Sequence, residues 1–506
     1  MDRDEGYSSP QKVPSIYTVD RNLFPSNSSD EDEDDGQEEP YRAPRNPSPL
    51  SSDDDMVGLP PPTESTIGNT MYCKHWFFAA LTRIINFVKE HEDQSLEEEE
   101  TNPEMEADME NEICKVWDMC MDEEVSRFLL ENNIIGIILG VVAKSKCKRL
   151  VEICVGILAN MACFKDICMT ITTNEDVGLV VFFLYSDTDP STLLETTRLL
   201  LTCLSHTEVL GIWMERIRNH PSIRHNLFFI MSSSTNVDLL YKVGELVDKL
   251  FDMDEDLMIN WIKACQQPEA ADAEGVIRPA MPVVPTLLEA SKQLRIDSPE
   301  GLNVYMHLLQ LVTTVDEGVK SIVLNLDVGK ETWKLLFELA TQDLFQPDDP
   351  PLVVVEQKAI LVAVFSVLSL IYSSQMCQEF TEPGKNLPLI ISLMCVLENL
   401  EIYGEFHSDH LSVQGGPDAA IRADPQLRML KDVCCEFLSN IFWVLKKENI
   451  LEALGQKHVT EEKCLCTLRN MLPVYNPSVN RFLTVLAEAN QELSDTMRKK
   501  LAAMMQ

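Results

Sequence analysis

The chain has 506 residues, 45% of them apolar, with 15 cysteines and a net charge of −39. That is enough apolar material for a large buried core, and length alone suggests about three domains unless the chain is a repeat array. So acidic a chain repels phosphate backbones, which argues against direct DNA or RNA binding and leaves basic proteins as natural partners.

Much of the charge is concentrated. Residues 1–68 hold 16 acidic and 5 basic residues, and residues 91–112 hold 11 acidic and none basic, a net −11 in each stretch. The first 70 residues read as SSPQ, NSSDEDEDDGQEE and PRNPSPLSSDDD. Ser, Pro and acid without apolar periodicity predict a disordered tail. Ser28, Ser29, Ser51 and Ser52 precede acid runs, as acidophilic kinases prefer, and Ser9 and Ser48 precede proline. Each phosphate would add up to about two negative charges. MDRDEGYSSP has no apolar core of a secretory signal, so the cysteines are expected as reduced thiols, mostly packed on helical faces.

Order is expected from Met71, where MYCKHWFFAALTRIINFV has the wide apolar face of a helix. An acidic flexible loop at about 91–108 follows, then the helix MENEICKVWDMCM. Asp122 is placed as the N-cap of EEVSRFLLE, with Asn132 and Asn133 as its stop. IIGIILGVVA, a basic turn KSKCKR (144–149) and LVEICVGILANM (150–161) complete a first unit. That basic turn also has the look of a weak nuclear-targeting patch.

LVEICVGILANM places Leu150, Ile153, Cys154, Ile157, Leu158 and Met161 on one helical stripe, with Asn160 at its edge. LKDVCCEFLSNI (430–441) repeats the pattern, Asn440 taking the place of Asn160. A shift of 43 residues puts Leu193, Leu200, Leu201 and Leu204 on the same stripe. A further 46 adds Leu239, Val243, Leu246, Val247 and Leu250. Steps of this size fall in the armadillo or HEAT range of about 40–47 residues. The predicted fold is therefore all-α, an armadillo/HEAT-type α-solenoid behind the acidic tail. Repeats fill 71–265 and 286–500, separated by a Pro- and Ala-rich linker at 266–285. A break at QPDDPP (346–351) and a polar loop at about 403–425 interrupt the second array. The longest apolar run, AILVAVFSVLSLIY (359–372), is too short to cross a bilayer, so it reads as a core helix, and no membrane association is expected.

The catalytic patterns are missing: no GxxxxGK[ST], no GxGxxG after a strand, no GxSxG. His91–Glu92 lacks the second His of a zincin. His407 and His410 lack a third ligand, and Cys464, Cys466, Cys434 and Cys435 lack a partnered pair. Cys203 and His206 read as a core thiol beside a helix-end His. No enzyme, cofactor or metal is expected.

In armadillo proteins the third helix of each repeat lines a groove, and an Asn near its end can hydrogen-bond an extended peptide. In the nuclear-import adaptors of that class a Trp four residues earlier completes the site. The corresponding positions here are Gly156, Leu199, Glu245 and Glu436, which argues against a receptor of that kind. Asn160, Asn440, Glu245 and Glu436 are the groove candidates, the two acids offering a lip for Lys or Arg. The alternative is that the two Asn side chains bridge neighbouring helices.

MENEICKVWDMCMDEEVSRFL, SKCKRLVEICVGILANMACF, LLETTRLLLTCLS, VYMHLLQLVTTVDEG and CEFLSNIF resemble the serum amyloid A-like, synoviocyte proliferation-associated protein family, over about residues 72–493. The resemblance implies an armadillo-like, non-enzymatic, largely nuclear protein linked to cell proliferation, notably of synovial fibroblasts under inflammatory stimulus. The expected function is a protein-interaction scaffold holding partners with basic or extended segments. The rival is an acidic chaperone or carrier for basic nuclear proteins.

Overall fold

The computed structural model describes residue 67 and residues 70–92, 103–264, 281–374, 381, 383–411 and 418–504. Among them the elements are helical, with no strand. In chain order they are α1 (Lys74–Glu92), α2 (Ala107–Met119), α3 (Glu123–Glu131), α4 (Ile134–Lys144), α5 (Lys148–Met161), α6 (Lys165–Thr173), α7 (Glu175–Leu184), α8 (Pro190–Ser205), α9 (Thr207–Asn219) and α10 (Pro221–Ser233). They continue as α11 (Val237–Met253), α12 (Glu255–Ala264), α13 (Val283–Asp297), α14 (Pro299–Val312), α15 (Asp316–Val323), α16 (Leu326–Glu338), α17 (Pro351–Glu356) and α18 (Lys358–Ser373). The last are α19 (Leu387–Leu411), α20 (Asp418–Ala423), α21 (Pro425–Val444), α22 (Lys447–Leu454), α23 (Glu461–Met471), α24 (Asn476–Ala489) and α25 (Gln491–Met504). The chain divides into two compact units between Asn226 and Leu227, within α10.

In the first unit, helices three apart stack on each other. α1 packs on α4 and α4 on α7; α2 on α5 and α5 on α8; α3 on α6 and α6 on α9. Three interleaved ladders are what three-helix repeats produce when each buries its ridge against the next. In the second unit one ladder runs α11–α14–α18–α21–α24, while α12 packs on α15 and α13 on α16. Each unit is thus an α-solenoid of armadillo type.

The look-alike stretches are both ladder helices. Leu150, Ile153, Cys154, Ile157, Leu158 and Met161 are buried on α5; Leu430, Val433, Cys434, Phe437, Leu438 and Ile441 are buried on α21. Each fully buried aliphatic side chain contributes roughly 2 kcal/mol, so a ladder helix is held mainly by its neighbours.

Local sequence sets where ladder helices begin. Asp189 caps α8 by accepting from Thr192 N at 2.8 Å, with Pro190 in the first turn. Ser298 and Pro299 do this for α14, and Asp424 and Pro425 for α21. An oxygen-bearing cap satisfies an orphan N–H, and proline supplies the helical φ at a position that needs no donor. Asp122 caps α3, accepting from Glu124 N at 2.9 Å. Asn133 stands just past the end of α3 at φ 58°, a left-handed conformation that Asn tolerates.

The apolar run GLVVFFL (178–184) lies within the helix α7. The stretch expected as a polar loop from about 403 begins instead as helix: α19 continues to Leu411, and α20 forms at Asp418–Ala423. Packing of α20 and α21 on α19 overrides the weak local preference of this polar segment. Among the described residues one helix segment, Leu387–Phe406 in α19, is long and apolar enough to cross a membrane by length and composition, with mean hydropathy 1.5, and 67% of it is buried in the fold. Its Glu398 and Glu401 bind Lys463 and Arg469 of α23, which suits a core helix. The acidic tail with Ser28, Ser29, Ser48, Ser51 and Ser52, the acidic stretch 93–102 and residues 266–280 of the expected linker lie outside the described residues, while the last residues of that linker, from Val283, already belong to α13.

Candidate functional site

Asn160 sits near the end of α5, 8% exposed, between two other ladder helices. Its Nδ2 donates to Trp117 O of α2 at 2.8 Å. Its Oδ1 accepts from an Arg198 guanidinium N–H of α8 at 2.7 Å. Arg198 also donates to Gly156 O at 3.1 Å and, through Nε, to Glu195 at 2.8 Å. The Asn160 side chain therefore ties three successive ladder helices together, its amide spent on internal partners. Gly156 explains the missing Trp: a Cβ there would lie 2.3 Å from the Trp117 indole. The aromatic ring at this point belongs to the preceding ladder helix rather than to α5.

Glu245 of α11 is half-buried and paired with Lys242 at 2.7 Å. It opens an acidic row with Asp248 and Asp252, all three half-buried at i, i+3 and i+7, hence on one helical face. Asp248 meets His307 Nδ1 of α14 at 2.7 Å. Burial pulls the imidazole pKa down, but the hydrogen bond to Asp248 and the charges of Asp248 and Asp252 outweigh it and leave His307 raised. Burial also raises the Asp248 carboxyl, against the pull of His307. On the same helix Gly244 takes the ring of Tyr305, whose hydroxyl donates to Leu240 O at 2.9 Å. The row is thus set on a rigidly packed helix pair.

On α21, Glu436 is half-buried, and Asn440 donates to Ser373 Oγ of α18 at 3.1 Å. The two Asn residues share the bridging habit. Asn160 and the row begun by Glu245 lie in different units, and each is complete within its own.

Several of the other candidates have partners within the fold. His206 Nε2 lies 2.9 Å from Ala162 O, while the Cys203 thiol is fully buried. Within KSKCKR, Arg149 binds Glu110 and Glu152 at 2.7 Å each, joining α2 to α5. Cys464 is buried, and Cys466 Sγ lies 3.0 Å from Glu401. Cys434 and Cys435 are buried, and the thiols of all the described cysteines are free. His407 and His410 fall in the last turns of α19. Among the described residues no group of three His, Cys, Asp or Glu side chains could hold a metal ion. An apolar cavity of ≈ 60 Å³ in the second unit is lined by Met394, Phe442, Leu468, Phe482 and Met497 among others.

Trp117, Arg198, Asp248, Asp252 and His307 were not among the expected site residues. A signal existed for Trp117: it lies 43 residues before Asn160, the same step that relates Leu150 to Leu193. The row on α11 was also readable, as three acids at helical spacing.

Residues 223–479 match the family model described as the SAAL1 C-terminal domain. The chain is 51% identical over 459 residues to "Protein saal1" of Xenopus tropicalis, covering 90% of this chain and 98% of that one. It is 48% identical over 447 residues to "Protein SAAL1" of Homo sapiens, covering 87% and 94%. A solved engineered protein aligns with 57% of the chain and 97% of its own at a TM-score of 0.36 and 16% identity, too loose a match to define the fold.

Proposed function

The chain belongs to the SAAL1 family, and from that premise we propose that it is a non-enzymatic interaction scaffold whose α11 face binds a basic segment of a partner protein. The carrying observation is the row Glu245, Asp248 and Asp252, three half-buried acids on one face of a ladder helix. Lys or Arg side chains of a partner would compete with Lys242 and His307 for these carboxylates through charge-assisted hydrogen bonds. Such contacts set specificity and association rate more than raw affinity. Asn160 is left out of this proposal because its hydrogen bonds are internal. Glu436 extends it as a secondary acidic contact on α21. The proliferation-promoting role and nuclear placement implied by the family resemblance belong to the same proposal, as do partners that are neither nucleic acid nor membrane.

The test is affinity purification from a nuclear extract at low and high salt, with the wild-type chain beside the double variant Glu245→Lys/Asp252→Lys. Loss of a defined partner set in the variant, with the fold intact by circular dichroism, supports the proposal. Unchanged binding overturns it.

A second reading has its own observation: −11 net charge in residues 1–68 and again in 91–112. An acidic carrier for basic nuclear proteins would use these stretches, and its binding would fall steeply with salt. A chain beginning at Met71 separates the two. The scaffold keeps its partners on truncation; the carrier loses those held by the tail.

A further inference from the structure

In the second unit, Lys463 of α23 reaches into the fold with its side chain only 8% exposed. Its Nζ lies 3.1 Å from Cys395 Sγ of α19 and 2.9 Å from a Glu398 carboxylate oxygen. Cys395 is 1% exposed, and Cys395 and Glu398 share one face of α19 at i, i+3. A buried lysine in the first turn of a helix also sits at the unfavourable end of the helix dipole, so α23 itself gives no reason for a cation there. Three groups therefore converge at one point: a nucleophilic sulfur, an amine and a carboxylate able to take the amine's proton.

We propose that Cys395 and Lys463 form a redox-controlled covalent crosslink, a nitrogen–oxygen–sulfur bridge made with peroxide as oxidant, which staples α19 to α23. In the first step Cys395 Sγ attacks one peroxide oxygen. The O–O bond breaks, a sulfenic acid forms and water leaves; sulfur is oxidised and peroxide reduced. Glu398 takes a proton from the Lys463 ammonium. The freed amine nitrogen attacks a second peroxide, giving a hydroxylamine and water. The hydroxylamine oxygen then attacks the sulfenyl sulfur and the S–OH bond breaks. The hydroxylamine's proton leaves with that hydroxide as water. The net change is one thiol, one ammonium and two peroxides giving one bridge and three waters, with the ammonium's proton left on Glu398. Burial holds the Cys395 thiol up against the lowering pull of Lys463, so the resting pair is a thiol beside an ammonium and the reaction needs sustained oxidant.

The crosslink joins residues 68 positions apart, closing a long loop of the unfolded chain. It also fixes two helices that line the apolar cavity, where Met394 and Cys464 are the chain neighbours of Cys395 and Lys463.

The test uses the full chain, treated with hydrogen peroxide and digested without reductant for mass spectrometry. The expected result is the Cys395 and Lys463 peptides joined, at their summed mass plus one oxygen less two hydrogens. Dithiothreitol should part them, and Lys463→Arg and Cys395→Ser should abolish the species. Lys463→Arg keeps the charge facing Glu398, and a thermal melt confirms that it folds. Cys395 recovered as sulfinic or sulfonic acid beside unmodified Lys463 overturns the proposal. So does an untouched pair under peroxide that oxidises the exposed Cys163.

Discussion

The indole of Trp117 lies where a side chain at position 156 would have to be: a Cβ on Gly156 would stand 2.3 Å from its ring carbons. Both residues are buried, so neither has room to retreat. Gly156→Ala should gain about 1 kcal/mol of helix propensity and lose about 1–3 kcal/mol to overpacking. The expected net is a lower urea midpoint with an unchanged slope. A raised midpoint would mean that Trp117 moves aside at little cost.

Asn160 offers a sharper contrast between structural and binding roles. Asn160→Ala leaves the buried Trp117 carbonyl and one Arg198 N–H without this partner, at a cost of about 1–3 kcal/mol. Partner affinity of the remaining folded protein should not change. A variant of wild-type stability that loses partners would return Asn160 to the binding surface.

Asp424 both caps α21, accepting from Gln426 N at 2.9 Å, and pairs with Lys358. Burial raises its carboxyl, but the hydrogen bond to Lys358, the backbone N–H groups of Gln426 and Leu427 and the Lys358 charge outweigh it and leave it below the ordinary carboxylate value. A depressed acid stabilises the fold above its unfolded pKa, and that stability is lost as pH falls through the folded pKa. Asp424→Asn should keep the cap and flatten this acid limb. Asp424→Ala should in addition lose the cap, about 1 kcal/mol. Equal denaturation curves for the two variants would show that the cap contributes nothing.

His307 should give the opposite slope. Its folded pKa is raised from the ordinary 6.5, so its contribution is complete below the unfolded pKa and is lost as pH rises through the folded value. The raised Asp248 carboxyl works in the same sense, disfavouring the fold once it ionises, but at lower pH. Urea midpoints should therefore fall across the neutral range in the wild type, and less so in His307→Gln. Parallel profiles for the two proteins would exclude His307 as the source.

The helices themselves were legible from periodicity and caps. The stripe from Leu150 to Met161, its copy from Leu430 to Ile441 and the cap Asp122 required only neighbours within a few residues. The continuation of α19 to Leu411 was not legible, because the stretch from Tyr403 on has loop-like composition, while α19 packs on α20 and α21, whose positions the local sequence does not encode.

The site divides along the same line. Periodicity alone says that the chain builds repeats, since each amphipathic helix must bury its ridge on the next. It also made Asn160, Asn440, Glu245 and Glu436 visible as polar residues on ladder helices. Which partners they meet is a matter of how the helices stack. Asn160 finds partners 43 and 38 residues away, and Asn440 finds Ser373 67 residues away. Asp248 meets His307 across 59 residues, and Lys463 meets Cys395 across 68. Side-chain chemistry sets which bonds are available, but which partner stands within 3 Å depends on how helices from distant parts of the chain are stacked.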